Sequence, residues 1–135
     1  MRNKLLLLVL LTVCTTATKI YSQATDSLPS VLNPEKKAEF TGGLRAWQIF
    51  LERNLDRDLI SRARAPQGSY KIIGNFFIDT LGKVTDIRIE TDPGYGTADE
   101  FKRVINLSSG KWTPAYDNGK AVPYRNKQSI TIINN

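Results

Sequence analysis

The sequence predicts an α+β domain in which a three-stranded antiparallel sheet is covered on one face by two main helices. Three observations carry this. From Gly68 to Thr91 two β-rich runs flank a Gly-containing turn, Gly43 to Asn54 repeats apolar residues at helical spacing, and Lys127 to Ile133 alternates apolar and polar residues.

Residues 1–24 read as a cleaved secretory signal peptide. Met1 to Lys4 is basic, Leu5 to Val13 is apolar, and Ser22 and Ala24 are small residues at the two positions a signal peptidase inspects. A membrane anchor is the rival reading. Stretched to Ala17, the apolar run gives roughly 20 Å of helix against a hydrocarbon core of about 30 Å, so no integral span is expected in the mature chain. Lipid attachment through Cys14 wants a small residue before it and finds Val13, which argues against a lipoprotein.

Removing the leader takes Arg2, Lys4 and Lys19 and lowers the formal net charge from +6 to +3. A +3 domain without a basic run gives no reason to expect nucleic acid, and Arg62 and Arg64 read as a solvated helix face. The chain has no histidine, and Cys14 is its sole cysteine. That excludes disulfides, thiol and imidazole catalysis and nearly all transition-metal sites from the mature chain, so no cofactor and no metal are expected. A hydrolase would need a carboxylate pair or a Ser–Lys arrangement. Ser108 and Ser109 read instead as helix termination, and no enzyme is expected.

Residues 25–38, with Pro29, Pro34 and little apolar periodicity, read as a flexible linker, and residues 39–135 as the domain. Thr41 is the expected N-cap of the first helix, over Gly43 to Asn54, whose stripe of Leu44, Trp47, Leu51 and Leu55, with Phe50 beside them, reads as core. A Trp inside such a stripe is packing rather than a ligand platform. Asp58 to Ala65 reads as a second, short helix, ended by Pro66.

In the first long strand Tyr70, Ile72, Gly74, Phe76 and Ile78 share the cleaner apolar face, with Lys71, Ile73, Asn75, Phe77 and Asp79 on the other. The loop from Asp79 to Gly82 places Gly where a hairpin wants positive φ. On the return run Val84 is out of step with Ile87 and Ile89, which predicts a bulge near Thr85 and Asp86.

Thr97 to Glu100 reads as a capping box, opening a helix whose inner face is Ala98, Phe101, Val104 and Ile105 and whose end is Ser108 to Gly110. Asp92, Asp99 and Glu100 read as capping and dipole-compensating residues rather than a catalytic or metal cluster. Lys111 to Ala115 is extended, and Asn118 and Gly119 centre a turn. In the final strand Ile130 and Ile132 point inward and Ser129 and Thr131 outward. A crossover through the preceding helix puts that strand beside the first hairpin strand, at an edge of the sheet, in the order second–first–third.

A series of motifs over residues 39–135 resembles the C-terminal domain of the TonB energy transducers. It comprises Phe40 to Gly43, Ala46 through Leu55, Gln67 and Gly68, Asp79 with Gly82 to Val84 and Asp86 with Ile87, Trp112 with Pro114 and Ala115, Asn118 to Lys120, and Ile130 to Ile132. The pattern departs from the family at Thr41, where Pro is usual, and at Arg57 and Asp58, which replace an aromatic–Pro pair. The inner-membrane helix and long Pro-rich spacer of complete transducers have no counterpart in the residues given. The resemblance therefore implies the family's fold and mode of recognition rather than its full energy-transducing role.

It further implies a periplasmic protein-binding module in TonB-dependent transmembrane transport. Its partner would be an outer-membrane receptor or other envelope protein, captured by adding a short extended segment, the TonB box, beside the last strand. The matching positions are Lys127, Gln128, Ser129, Ile130, Thr131, Ile132 and Ile133. An alternative of another class is a structural or self-associating envelope module, a homodimer built on the free edge and the semi-apolar second face of Ile73 and Phe77.

Overall fold

The computed structural model describes residues 33–135. The expected signal peptide, Cys14 and residues 25–32 of the expected linker lie outside the described residues. The described elements are β1 (Glu39–Phe40), α1 (Gly43–Asn54), α2 (Leu59–Arg62), β2 (Gly68–Ile78), β3 (Val84–Thr91), α3 (Thr97–Leu107), β4 (Trp112–Thr113), β5 (Ala115–Asp117), β6 (Lys120–Val122) and β7 (Tyr124–Asn134). The fold is α+β, and its three-stranded antiparallel sheet has the order β3-β2-β7. β1 pairs with β4, and β5 with β6, as two small antiparallel ladders. None of the described helices is long and apolar enough to cross a membrane.

The alternation of β2 dictates one core-facing side, where Ile72, Phe76 and Ile78 are buried. They join Trp47 of α1, Ile60 of α2, Phe101 and Ile105 of α3, and Ile130 and Ile132 of β7 in one hydrophobic cluster. Phe40, Trp47 and Trp112 form its aromatic end, with ring centroids 5.0–5.4 Å apart. Gly74 lets α3 approach the sheet, since a Cβ there would stand 2.6 Å from Phe101 Cε1. Phe77 faces the other side, yet it too is buried, with the Arg125 guanidinium 4.7 Å from its ring centroid. The second face thus exposes less apolar surface at Phe77 than the alternation predicts.

The expected bulge is present. Asn75 pairs with Arg88 and Phe77 with Thr85, so Phe76 opposes two residues, and one of them, Asp86, has φ +47°. The extra residue lets Val84 join Ile87 and Ile89 at the core. At the hairpin, Asp79 Oδ1 accepts from the N–H groups of Leu81 and Lys83, and Gly82 has φ +77°. A Cβ on Gly82 would lie 2.0 Å from Trp112 O, so both conformation and space require glycine.

Five expectations need correction. Thr41 does not cap α1: the N-cap is Gly42, and Thr41 Oγ1 donates to Lys111 O at 2.8 Å, tying the β1–α1 corner to the chain entering β4. Leu44 is not core but 69% exposed, because it lies in the first turn of α1, short of the packed stretch that starts at Trp47. α2 ends at Arg62, before Pro66 acts. Arg64 takes φ +56°, Ala65 N–H donates to Ile60 O and Arg64 N–H to Ser61 O, which is a Schellman motif with Arg in the place usually given to Gly.

The capping box does not form either. Gly96 is the N-cap of α3, the Thr97 hydroxyl is shared between Gly94 O and Asp92 Oδ1, and Glu100 reaches across to the N–H of Asp56 at 2.7 Å. Finally, the described end of the expected linker is docked rather than free: Pro34 is buried and Lys36 exchanges backbone hydrogen bonds with Tyr116. Ser108 has Lys111 three residues on, but its buried hydroxyl donates to Ile105 O and accepts from Trp112 Nε1, a purely structural use.

Candidate functional site

β7 forms because Ile130 and Ile132 bury into the cluster while Ser129, Thr131 and Ile133 remain exposed. Its register with β2 runs unbroken over eleven pairs, from Gly68 opposite Asn134 to Ile78 opposite Tyr124. Among the described residues β7 pairs with no other strand, so its outer side is a sheet edge. Such an edge presents unpaired N–H and C=O groups.

All seven expected site residues lie in β7, but they are not equivalent. Ile130 spends its side chain on the core and can offer a partner only backbone, whereas the largely buried Ile132 also borders a cleft described below. Lys127 is exposed and ion-paired with Glu90 of β3, which also accepts from Asn75 Nδ2 at 2.8 Å. The Lys127 ammonium, and next the Asn75 amide, hold the Glu90 carboxyl below the usual carboxylate range. Ion pair and amide tie the three strands together on the face away from the core.

Gln128 shares the core-side face, opposite Gly74. Its Oε1 accepts from Trp47 Nε1 at 2.9 Å, and its Nε2 donates to Ser129 O at 2.7 Å in an exposed contact. One side chain therefore fastens α1 to β7 and occupies an edge carbonyl.

α1 runs beside this edge, and two clefts open between them. The smaller, about 300 Å³, is bounded by Phe40, Leu44, Trp47 and Trp112 and by Lys127 and Gln128 of β7. The larger, about 430 Å³, lies between Leu51, Leu55 and Arg57 on one side and Thr131, Ile132 and Ile133 on the other. These α1 residues were not legible as site residues, since an apolar stripe reads as core. The exposed Leu44 gives no separate sequence signal.

The loop entering α2 is held from α3. Arg103 forks onto Glu100 and also donates to Asn54 O. Burial pushes the Glu100 carboxyl up, but the hydrogen bonds from Arg103 and from Asp56 N–H outweigh it and leave the group below its ordinary range. This fixes the C-terminal end of α1, and with it one wall of the larger cleft.

Among the described residues no group of His, Cys, Asp and Glu is arranged to hold a metal ion. What the edge can do chemically is hydrogen-bond an extended backbone and receive side chains beside it. No family model and no curated protein matches the chain, so its functional reading rests on the geometry of this edge.

Proposed function

We propose that this chain is a periplasmic TonB C-terminal-like protein-binding module that captures an extended segment of an outer-membrane receptor by β-strand addition along Lys127–Ile133. The observation that carries the reading is the open, unshifted edge of β7. Main-chain pairing along such an edge supplies affinity, and alternate side chains supply choice. In this reading α1 and α3 roof one face of the sheet, which keeps β7 rigid while its outer side stays open. Each added hydrogen bond is worth about 0.5–1.5 kcal/mol net, so four or five give weak, reversible capture after ordering costs.

The test is a titration of the isotopically labelled chain with a TonB-box peptide to millimolar concentration. Amide shifts confined to Lys127–Ile133 and its neighbours support the proposal; an unchanged β7 ends it. A photoreactive residue at Thr131, crosslinked in intact cells, then identifies the partner.

The self-associating alternative draws on Ile133, which is 63% exposed on the same edge. Light scattering decides between the two: a strict monomer at high concentration removes the dimer.

A further inference from the structure

We infer that the segment bound by β7 carries two large apolar side chains an even number of positions apart, at i and i+4 or i and i+6, one for each cleft flanking α1. The inference rests on the strand-addition reading above and goes beyond it by naming the side-chain pattern of the partner.

The parity follows from the pleat. Asn126, Gln128, Ile130 and Ile132 lie opposite Phe76, Gly74, Ile72 and Tyr70 and share the core-side face. A strand added to the outer edge keeps the same pleat, so only every second guest side chain turns toward α1. Along that line the first cleft meets β7 at Asn126 to Gln128 and the second at Thr131 to Ile133. A guest residue beside Gln128 and one beside Ile132 are four apart, roughly 13 Å; starting beside Asn126 the interval is six, roughly 20 Å. On the helix, Leu44 and Leu51 or Leu55 are separated by about 11–17 Å of rise, so both walls run in step with the strand.

Between the clefts the Trp47–Gln128 hydrogen bond and the buried Ile130 close the space, which calls for small guest residues there. The chemistry of the walls sets the class of side chain. Aromatic rings and Leu44 line the first cleft, and the Lys127 charge at its edge is taken up by Glu90 on the other face of the sheet. Leu51, Leu55, Ile132 and Ile133 line the second, where Glu52 and Arg57 carry opposite charges. With apolar side chains on the walls of both clefts, phenylalanine or leucine fits better than an acidic or basic residue.

The experiment uses octapeptides of Thr and Ser with Phe pairs at i and i+4, i and i+5, or i and i+6, and with a single Phe. Affinity is read from Trp fluorescence, and pairing from the β7 amide shifts of the full chain. The expected result is that an even-spaced peptide binds about tenfold tighter than the i+5 and single-Phe peptides. Leu44→Glu, at an exposed site, should erase that advantage while β7 amides still shift. Equal affinities accompanied by β7 shifts would overturn the cleft inference and leave strand addition standing. Absence of β7 shifts with every peptide would overturn both.

Discussion

The two edges of the sheet are built differently. β3 meets β2 with two register shifts, a left-handed Asp86 and an Asp86–Arg88 ion pair, and α3 packs beside it. β7 meets β2 over eleven pairs without a shift, and its outer side carries clefts instead of a covering element. A bulged, twisted edge discourages pairing, whereas a regular one invites it. On the function proposed above, the difference divides stability and recognition between opposite sides of one small sheet.

The sharpest way to break the comparison is at the β2–β3 turn. Gly82→Ala adds a Cβ against Trp112 O at a positive φ and should cost about 3 kcal/mol or more, read by urea unfolding. A loss below about 1 kcal/mol would mean the turn is not a fixed point of the β3 side.

Next is the bulge. Asp86→Val should cost about 1–2 kcal/mol because a β-branched residue resists φ +47°, while Asp86→Gly should stay within about 0.5 kcal/mol. Equal effects would remove the conformational account of the blunted edge.

Glu100→Gln should cost about 1–2 kcal/mol by weakening the hydrogen bonds to Arg103 and Asp56. The pH dependence follows from the lowered pKa. The native carboxyl binds a proton less readily than the unfolded one, so its stabilisation is full above the ordinary Glu range, near about 4.3, and is lost as pH falls through the depressed value. Acid titration of stability should therefore show a shallower loss in Glu100→Gln than in the unaltered chain.

The smallest effect on folding is expected at the proposed recognition edge. Gln128→Ala should cost about 1 kcal/mol in stability, because the Trp47 indole N–H loses its acceptor, yet strengthen guest binding about threefold by freeing Ser129 O. Calorimetry with one peptide against both proteins checks it. Weakened binding would mean that Gln128 contacts the guest rather than competing with it.

Much of this division was legible in residue order. Val84 falling out of step with Ile87 and Ile89 located the bulge, and the alternation around Ile130 and Ile132 gave the face of β7. The strands β1, β4, β5 and β6 are two or three residues long, too short for any period to register. Glu100 read as a capping residue because its partner, Asp56, lies 44 positions away and becomes available only when α3 docks. Leu44 and Trp47 belong to the same stripe, and only the docking of α1 beside β7 separates a cleft-lining residue from a buried one. Local pattern fixes faces; it does not fix which neighbours a face will meet.

Amide hydrogen exchange along β7, with and without an even-spaced peptide, is the most direct test of the open edge. In the free chain, alternate amides between Lys127 and Ile133 should exchange fast because they point away from β2, and peptide should slow that same alternate set. Uniform protection of all seven amides in the free chain, or fast exchange that peptide leaves unchanged, would contradict an edge open to a guest strand.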